Sequence, residues 1–266
     1  MQTCRSPQRA SSSTKVAAKA WVTLLSDMEV VTCLHGFSQQ GESWQELAEL
    51  VDGERRWLTP NLRAAGLEEA VSEVLRLWER EGVSRSHLVG YSQGGRVALY
   101  LAAAHSRRLL TLTGISAHAG LEEPERSARF QEDLSLAARI EEEGIDWFAA
   151  HWAGRPLFQG LSRRGPALLA RLDDARRRND PSHLAAVLRG LGPGATPPFW
   201  ERLPAISVPT LLIAGAGDRR YVEFARRLAE KIPRAQAVVV PGAGHAVHLE
   251  APAATARLVE DHLSSR

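Results

Sequence analysis

The sequence predicts an α/β fold, a mostly parallel central sheet with helices on both faces and one inserted helical cap. Short apolar runs alternate with amphipathic stretches along most of the chain, the pattern of strands buried on both faces and crossed over by helices. Residues 90 to 95 read Gly-Tyr-Ser-Gln-Gly-Gly, between the apolar run His87-Leu88-Val89 and the helix-like run Arg96 to Leu101. Between about 121 and 204 strand-like runs vanish and arginine-rich helical stretches, separated by Gly and Pro, replace them.

Taken in order, the strands are expected near 29–34, 55–58, 86–90, 109–115, 209–214 and 236–241, most of them short runs rich in Val, Leu or Ile. Helices are expected near 42–52, 67–81, 93–105, 221–231 and 252–264. The stretch 67–81 carries Leu67, Val71, Val74, Leu75 and Trp78 at helical spacing, one apolar face on an otherwise charged helix. Right-handed crossovers should join the parallel strands. The chain therefore divides into a core of 27–120 and 205–266, a helical cap of 121–204 bracketed at its return by Pro204 and Pro209, and a leader of 1–26 expected to be disordered.

A chain of 266 residues suits one α/β domain with an insertion. Its 44% hydrophobic and 24% charged residues are those of a soluble globular protein, and a formal charge of +2 selects neither nucleic acid nor membrane as partner. No apolar run is long enough to span a bilayer. Cys4 and Cys33 are the two cysteines, one in the leader and one in a strand, so no structural disulfide is expected and a reducing cytoplasm is the expected compartment. The leader is serine-rich and basic (Arg5, Arg9, Lys15, Lys19), with no acid before Asp27. It reads as an organellar transit peptide, a disordered extension or translation from a start assigned too far upstream.

Gly-x-Ser-x-Gly between strand and helix is a nucleophile elbow, in which a sharp turn exposes the hydroxyl of Ser92 at a helix N-terminus and the glycines remove Cβ clashes. The α/β-hydrolase order of serine, acid and histidine then points to Asp218, after the apolar run 209–214, and to His245, after the run 237–240. Each is a polar residue on a loop following a buried strand, where open α/β sheets place their chemistry. Taken singly, Asp218 could cap the next helix and His245 could be an ordinary loop histidine. The three together, in order, favour a triad. Leu34-His35-Gly36-Phe37 follows the first strand, so the amides of Phe37 and Gln93 are the candidate oxyanion donors and His35 a structural loop residue. No metal-ligand cluster has convincing spacing; His245-x-x-His248 reads as the triad histidine and a neighbour.

Several segments resemble the 2-succinyl-6-hydroxy-2,4-cyclohexadiene-1-carboxylate synthase family of menaquinone biosynthesis, within the α/β-hydrolase superfamily. They are Leu34 to Phe37, Gly90 to Leu99, Trp152 to Phe158 (WAGRPLF), Gly190 to Pro197, Trp200 to Leu203 and Gly242 to Glu250. The arginine directly after the elbow glycines, the W-x-x-x-P-L-F segment and HAVHLE are the discriminating ones. Thr196 departs from the glutamine of many members. The resemblance implies a lyase that removes a ring proton from 2-succinyl-5-enolpyruvyl-6-hydroxy-3-cyclohexene-1-carboxylate so that pyruvate leaves, without metal or organic cofactor. Its partner is then a small, multiply anionic molecule. The resemblance places substrate-binding roles on Arg96, Arg129 and Arg177, with Tyr91 beside the nucleophile and Trp152 packing from the cap. A serine carboxylesterase or carbon–carbon bond hydrolase would use the same triad through an acyl-enzyme. A non-catalytic ligand-binding homologue is a third reading, against which the intact triad counts.

Overall fold

In a computed structural model, residues 28–265 are described; the leader expected over 1–26, with Cys4, lies outside them. Six strands, β1 (Val30–Leu34), β2 (Arg56–Leu58), β3 (Ser86–Tyr91), β4 (Leu109–Ile115), β5 (Thr210–Gly215) and β6 (Ala235–Val240), form one sheet in the order β2-β1-β3-β4-β5-β6. All neighbouring pairs are parallel. The order reverses direction after β2, so β1 and β3 lie side by side and their C-terminal ends open a crevice, the usual ligand site of such sheets.

Alternation along the strands sorts the core onto two faces. Val30 and Leu34 of β1, Leu88 of β3 and Leu212 of β5 pack with helices α2 (Leu67–Arg80), α3 (Gln93–His105) and α7 (Arg219–Lys231). Val31 and Cys33, Val89 and Tyr91, and Leu211 and Ile213 pack on the other face with α1 (Gln45–Leu50) and α8 (Pro252–Ser264). Helix α2 follows its expected span, burying Val71, Val74 and Trp78. The stretch expected as one helix over 42–52 instead begins with a 3₁₀ turn, Gly41–Trp44, before α1. Helix α7 starts two residues earlier than the periodicity suggests because Asp218 occupies its N-cap.

Between β4 and β5 the chain forms α4 (Glu125–Ala153), a 3₁₀ segment (Pro156–Arg164), α5 (Pro166–Arg177) and α6 (Pro181–Leu191). Helix α4 is two helices joined at Gly144, where the backbone leaves helical geometry. Ala137, Ile140, Phe148, Trp152, Leu184 and Leu188 give this insertion an apolar core of its own, to which Phe37 of the loop after β1 adds. No helix among the described residues is long and apolar enough to cross a membrane.

Burial also fixes the charge state of several histidines. Burial, with Arg55 and Arg85 nearby, lowers His87 to about 4. Burial and the neighbouring His245 lower His248 to about 3. The folded chain keeps both rings neutral, whereas the unfolded chain protonates them near the ordinary value of about 6.5. Stability is therefore full above that pH and falls as the pH drops toward the folded-state values, because only the unfolded chain binds these protons. Thermal unfolding midpoints should decline between pH 6.5 and 4. In His248→Phe, which keeps a ring against Trp44, proton uptake on unfolding at pH 5 should drop by about one; unchanged uptake would contradict this assignment.

Candidate active site

The crevice is assembled from four strand ends. Ser92 joins β3 to α3 with φ 52° and ψ −109°, a backbone region that side chains seldom occupy. A Cβ on Gly90 would meet the Gly94 carbonyl and Ala98, and one on Gly94 would overlap the carbonyls of Leu34 and His35. The tight turn thus needs glycine on both sides, and the second glycine lets α3 settle directly against the loop after β1. Ser92 N–H donates to the Ile115 carbonyl (2.9 Å), and its own carbonyl accepts from the Arg96 amide (3.0 Å), anchoring the turn to β4 and α3.

Ser92, His245 and Asp218 are brought into one hydrogen-bonded line. His245 Nε2 lies 3.1 Å from Ser92 Oγ, and Nδ1 lies 2.7 Å from Asp218 Oδ2. The acceptor carboxylate at Nδ1 assigns the proton to that nitrogen, leaving Nε2 to accept from the serine hydroxyl. Asp218 also accepts from the Tyr221 amide through Oδ1 (3.4 Å), so it caps α7 and orients the histidine at once. The His245 ring is buried against Tyr221, with ring centres 4.5 Å apart, and against Tyr91 at 5.4 Å.

Phe37 and Gln93 both line the cavity around Ser92. Among the described residues, neither backbone amide donates to a protein acceptor. Two free N–H groups flanking a hydroxyl are suited to receive a developing negative oxygen. His35 plays the structural part expected of it: Nδ1 donates to the Gly36 carbonyl (2.9 Å), and Nε2 accepts from the Leu62 amide (3.1 Å). Burial keeps this ring's pKa below the ordinary value, which suits that neutral arrangement.

Four guanidinium groups share the cavity, those of Arg96, Arg129, Arg155 and Arg176. Arg96 is 2% exposed and sits on the first turn of α3. It donates to the Leu191 carbonyl, its Nε has no partner, and no carboxylate lies within ion-pair distance among the described residues. His118 Nε2 lies 3.4 Å from Arg96 Nη1, but His118 Nδ1 accepts from the Gly120 amide, so the neutral ring carries its proton on Nε2 and offers the cation no acceptor. Burial lowers Arg96 to about 10, leaving it charged at neutral pH. Arg129 donates through Nε to the buried Asp133 (2.8 Å), which also accepts from the Gly194 amide. Arg155 lies over the Trp152 ring at 5.0 Å. Burial lowers the pKa values of Arg155 and Arg176 as well.

Trp152 and Tyr91 line the same cavity, Trp152 meeting Phe37 edge-on at 5.2 Å. Arg177 does not reach it. It projects from the outer side of α5 and pairs with Asp146 and with Asp173 (2.7 Å), while the preceding residue, Arg176, is turned inward. One residue rotates a helix by about 100°, so adjacent arginines cannot share a face. Sequence reasoning also passed over Arg155, although it lies inside the WAGRPLF segment, and Tyr221, whose position three residues after Asp218 was the available signal. Thr196 is buried and donates to the Gly192 carbonyl (3.0 Å), closing a turn rather than lining the cavity. Burial pushes the Tyr221 phenol above its ordinary value and the Tyr91 phenol well above it, so both stay protonated donors.

Comparison with known proteins adds the following. A model of the family described as "Alpha/beta hydrolase family" matches residues 33–258. The chain is 31% identical over 242 residues to the 2-succinyl-6-hydroxy-2,4-cyclohexadiene-1-carboxylate synthase of Enterobacter sp. (strain 638), covering 88% of this chain and 91% of that protein. Among solved structures, MenH from S. aureus aligns with a TM-score of 0.83 at 27% identity, over 88% of this chain and 93% of that one. A thermophilic esterase from Thermogutta terrifontis with malate bound aligns with a TM-score of 0.78 at 26% identity, over 88% of each chain.

The two adjacent arginines of α5 separate experimentally. Arg176→Ala should raise KM for an anionic substrate about 10- to 100-fold, the value of one or two charge-assisted hydrogen bonds. Arg177→Ala removes only surface pairs and should change KM by less than about twofold. The reverse ranking in steady-state kinetics would show that α5 presents its other face.

Proposed function

The chain belongs to the alpha/beta hydrolase family, and from that premise we propose that it is a lyase eliminating pyruvate from 2-succinyl-5-enolpyruvyl-6-hydroxy-3-cyclohexene-1-carboxylate to give 2-succinyl-6-hydroxy-2,4-cyclohexadiene-1-carboxylate. The observation that carries this reading is the unpaired, buried Arg96 guanidinium, which shares its cavity with Ser92 and three further arginines. A buried cation without a counter-charge is costly in the empty protein, and an anion that completes its hydrogen bonds recovers that cost. Three carboxylates on the substrate match a cavity with this excess of bidentate donors better than a neutral ester does. The name carried by the Enterobacter relative is that of a synthase of the same product, which supports this reading.

In this scheme His245 takes the Ser92 proton, with Asp218 stabilising the imidazolium. The Ser92 alkoxide then removes the acidic ring proton. Electron density from that C–H bond passes to the succinyl carbonyl oxygen, which the Phe37 and Gln93 amides receive as it becomes an enolate oxygen. Return of the electrons forms the new ring double bond and breaks the ring C–O bond. The enolpyruvyl group leaves and takes up a proton to become pyruvate. No acyl-enzyme forms, and Ser92 acts as a base.

Pyruvate release from the substrate, generated in situ and corrected for spontaneous elimination in buffer, tests the reading. Wild type should accelerate release by orders of magnitude and Ser92→Ala should lose most of that acceleration, at least about 10³-fold. Arg96→Ala should raise KM by about 10- to 100-fold while leaving the fold intact. Release at the buffer rate, together with burst cleavage of p-nitrophenyl acetate, would make the protein an ester hydrolase instead.

A further inference from the structure

We propose that Glu250 is a positioning residue for His245, and that Arg163 makes this positioning depend on the docking of the helical insertion. The proposal rests on the reading of Ser92, His245 and Asp218 as the working triad. The Glu250 side chain has no solvent exposure, and its two oxygens are divided between the amides on either side of the histidine. Oε2 accepts from Gly244 N–H (2.8 Å) and Oε1 from Ala246 N–H (3.1 Å). From the opposite side Ser116 Oγ donates to the His245 carbonyl (2.7 Å). The backbone of this one residue is thereby gripped before and behind, while its side chain spans Ser92 and Asp218.

A carboxylate withdrawn from water needs a cation or several donors. Among the described residues, the cation within ion-pair distance of Glu250 is Arg163, whose Nη2 lies 3.4 Å from Oε2. The same nitrogen donates to the Gly242 carbonyl at the start of the histidine loop (2.5 Å). Arg163 belongs to the 3₁₀ segment of the insertion, and the neighbouring Arg164 donates to the Leu249 carbonyl and to Glu46. The segment can lie this close because residue 160 is glycine: a Cβ there would overlap Glu250 Oε2. The insertion therefore does more than roof the cavity. It straps the loop that carries the general base, so lifting the strap withdraws a charge from Glu250 and a donor from Gly242 together.

Two measurements independent of the natural substrate decide the matter. The first is the rate at which a fluorophosphonate probe labels Ser92, a reaction in which the serine oxygen bonds to phosphorus, fluoride leaves and the serine proton passes to His245. The second is the downfield proton resonance of His245 Nδ1–H in the hydrogen bond to Asp218. Glu250→Gln keeps the size but presents a donor amide to one of the two N–H groups, and should label about 10- to 100-fold more slowly and shift or broaden the resonance. Arg163→Gln, at a side chain 63% exposed and so free of a folding burden, should give a smaller loss in the same direction. The double variant should be no slower than Glu250→Gln alone, since both changes act on one network. Arg139→Gln, which alters an exposed helix pair of the insertion, should behave as wild type. Wild-type labelling and an unmoved resonance in both Glu250→Gln and Arg163→Gln would overturn the proposal. Absence of labelling in wild type itself would instead overturn the triad reading, with the resonance then judging the positioning role by itself.

Discussion

Everything at the site depends on the close approach of α3 to the loop after β1, allowed by the missing side chain at Gly94. That approach sets Ser92 in its strained turn and brings the Gln93 amide to the same cavity as the Phe37 amide. A methyl group at residue 94 would push against the Leu34 and His35 carbonyls and force α3 away from the loop that carries Phe37. Buried strands on both sides supply the rigidity that holds such a turn: Ser92 is tied to β4 through Ile115, and β4 to β5 through their parallel register.

Electrostatics work against stability in the same place. Four arginines line one cavity, and the nearest carboxylates compensate only part of their charge: Asp133 serves Arg129, and Asp173 stands 3.8 Å from Arg176. Arg96 and Arg155 have no such partner among the described residues. Their reduced proton affinity is the signature of cations withdrawn from water by burial, with the nearby charge of Arg129 adding to the effect. A sequence selected for stability alone would place an acid beside Arg96 or replace it with an apolar residue. Retaining it unpaired makes sense when an anionic ligand supplies the missing charge.

The core and the Ser92–His245–Asp218 constellation were legible in the sequence because both follow short-range rules. Ser92 and Asp218 each follow a buried apolar strand and His245 follows the apolar but only half-buried edge strand β6, so finding the strands found the residues. The insertion obeys weaker rules. Its helices were recognisable as helices, but the choice between Arg176 and Arg177 turns on helical phase, which a run of Arg176, Arg177 and Arg178 does not reveal by composition. Arg177 is solvated on the far side, balanced by Asp146 and Asp173. Arg155 was hidden for another reason: its place over Trp152 depends on the path of the chain after α4 ends, which is set by tertiary contacts. Glu250 and Arg163 are far apart in sequence, and no local pattern marks a buried carboxylate whose partners are mostly backbone amides.

Much of this machinery is indifferent to the reaction it serves. A serine, a histidine that accepts its proton and two amides aimed at a nascent oxyanion suit acyl transfer and enolate formation equally, because both develop negative charge on a carbonyl oxygen. What differs is the position of the acidic C–H or the electrophilic carbon relative to Ser92 Oγ, and that is fixed by groups remote from the bond change. On the proposed reading those groups are the arginines of this cavity, with Trp152, which lies under Arg155, and Phe37 supplying apolar surface beside them. Binding energy from charges that do not react thus decides which atom meets the base. On the proposed reading the sheet supplies a general catalyst, and the insertion, by bringing Arg129, Trp152, Arg155 and Arg176 to the same cavity, selects the chemistry.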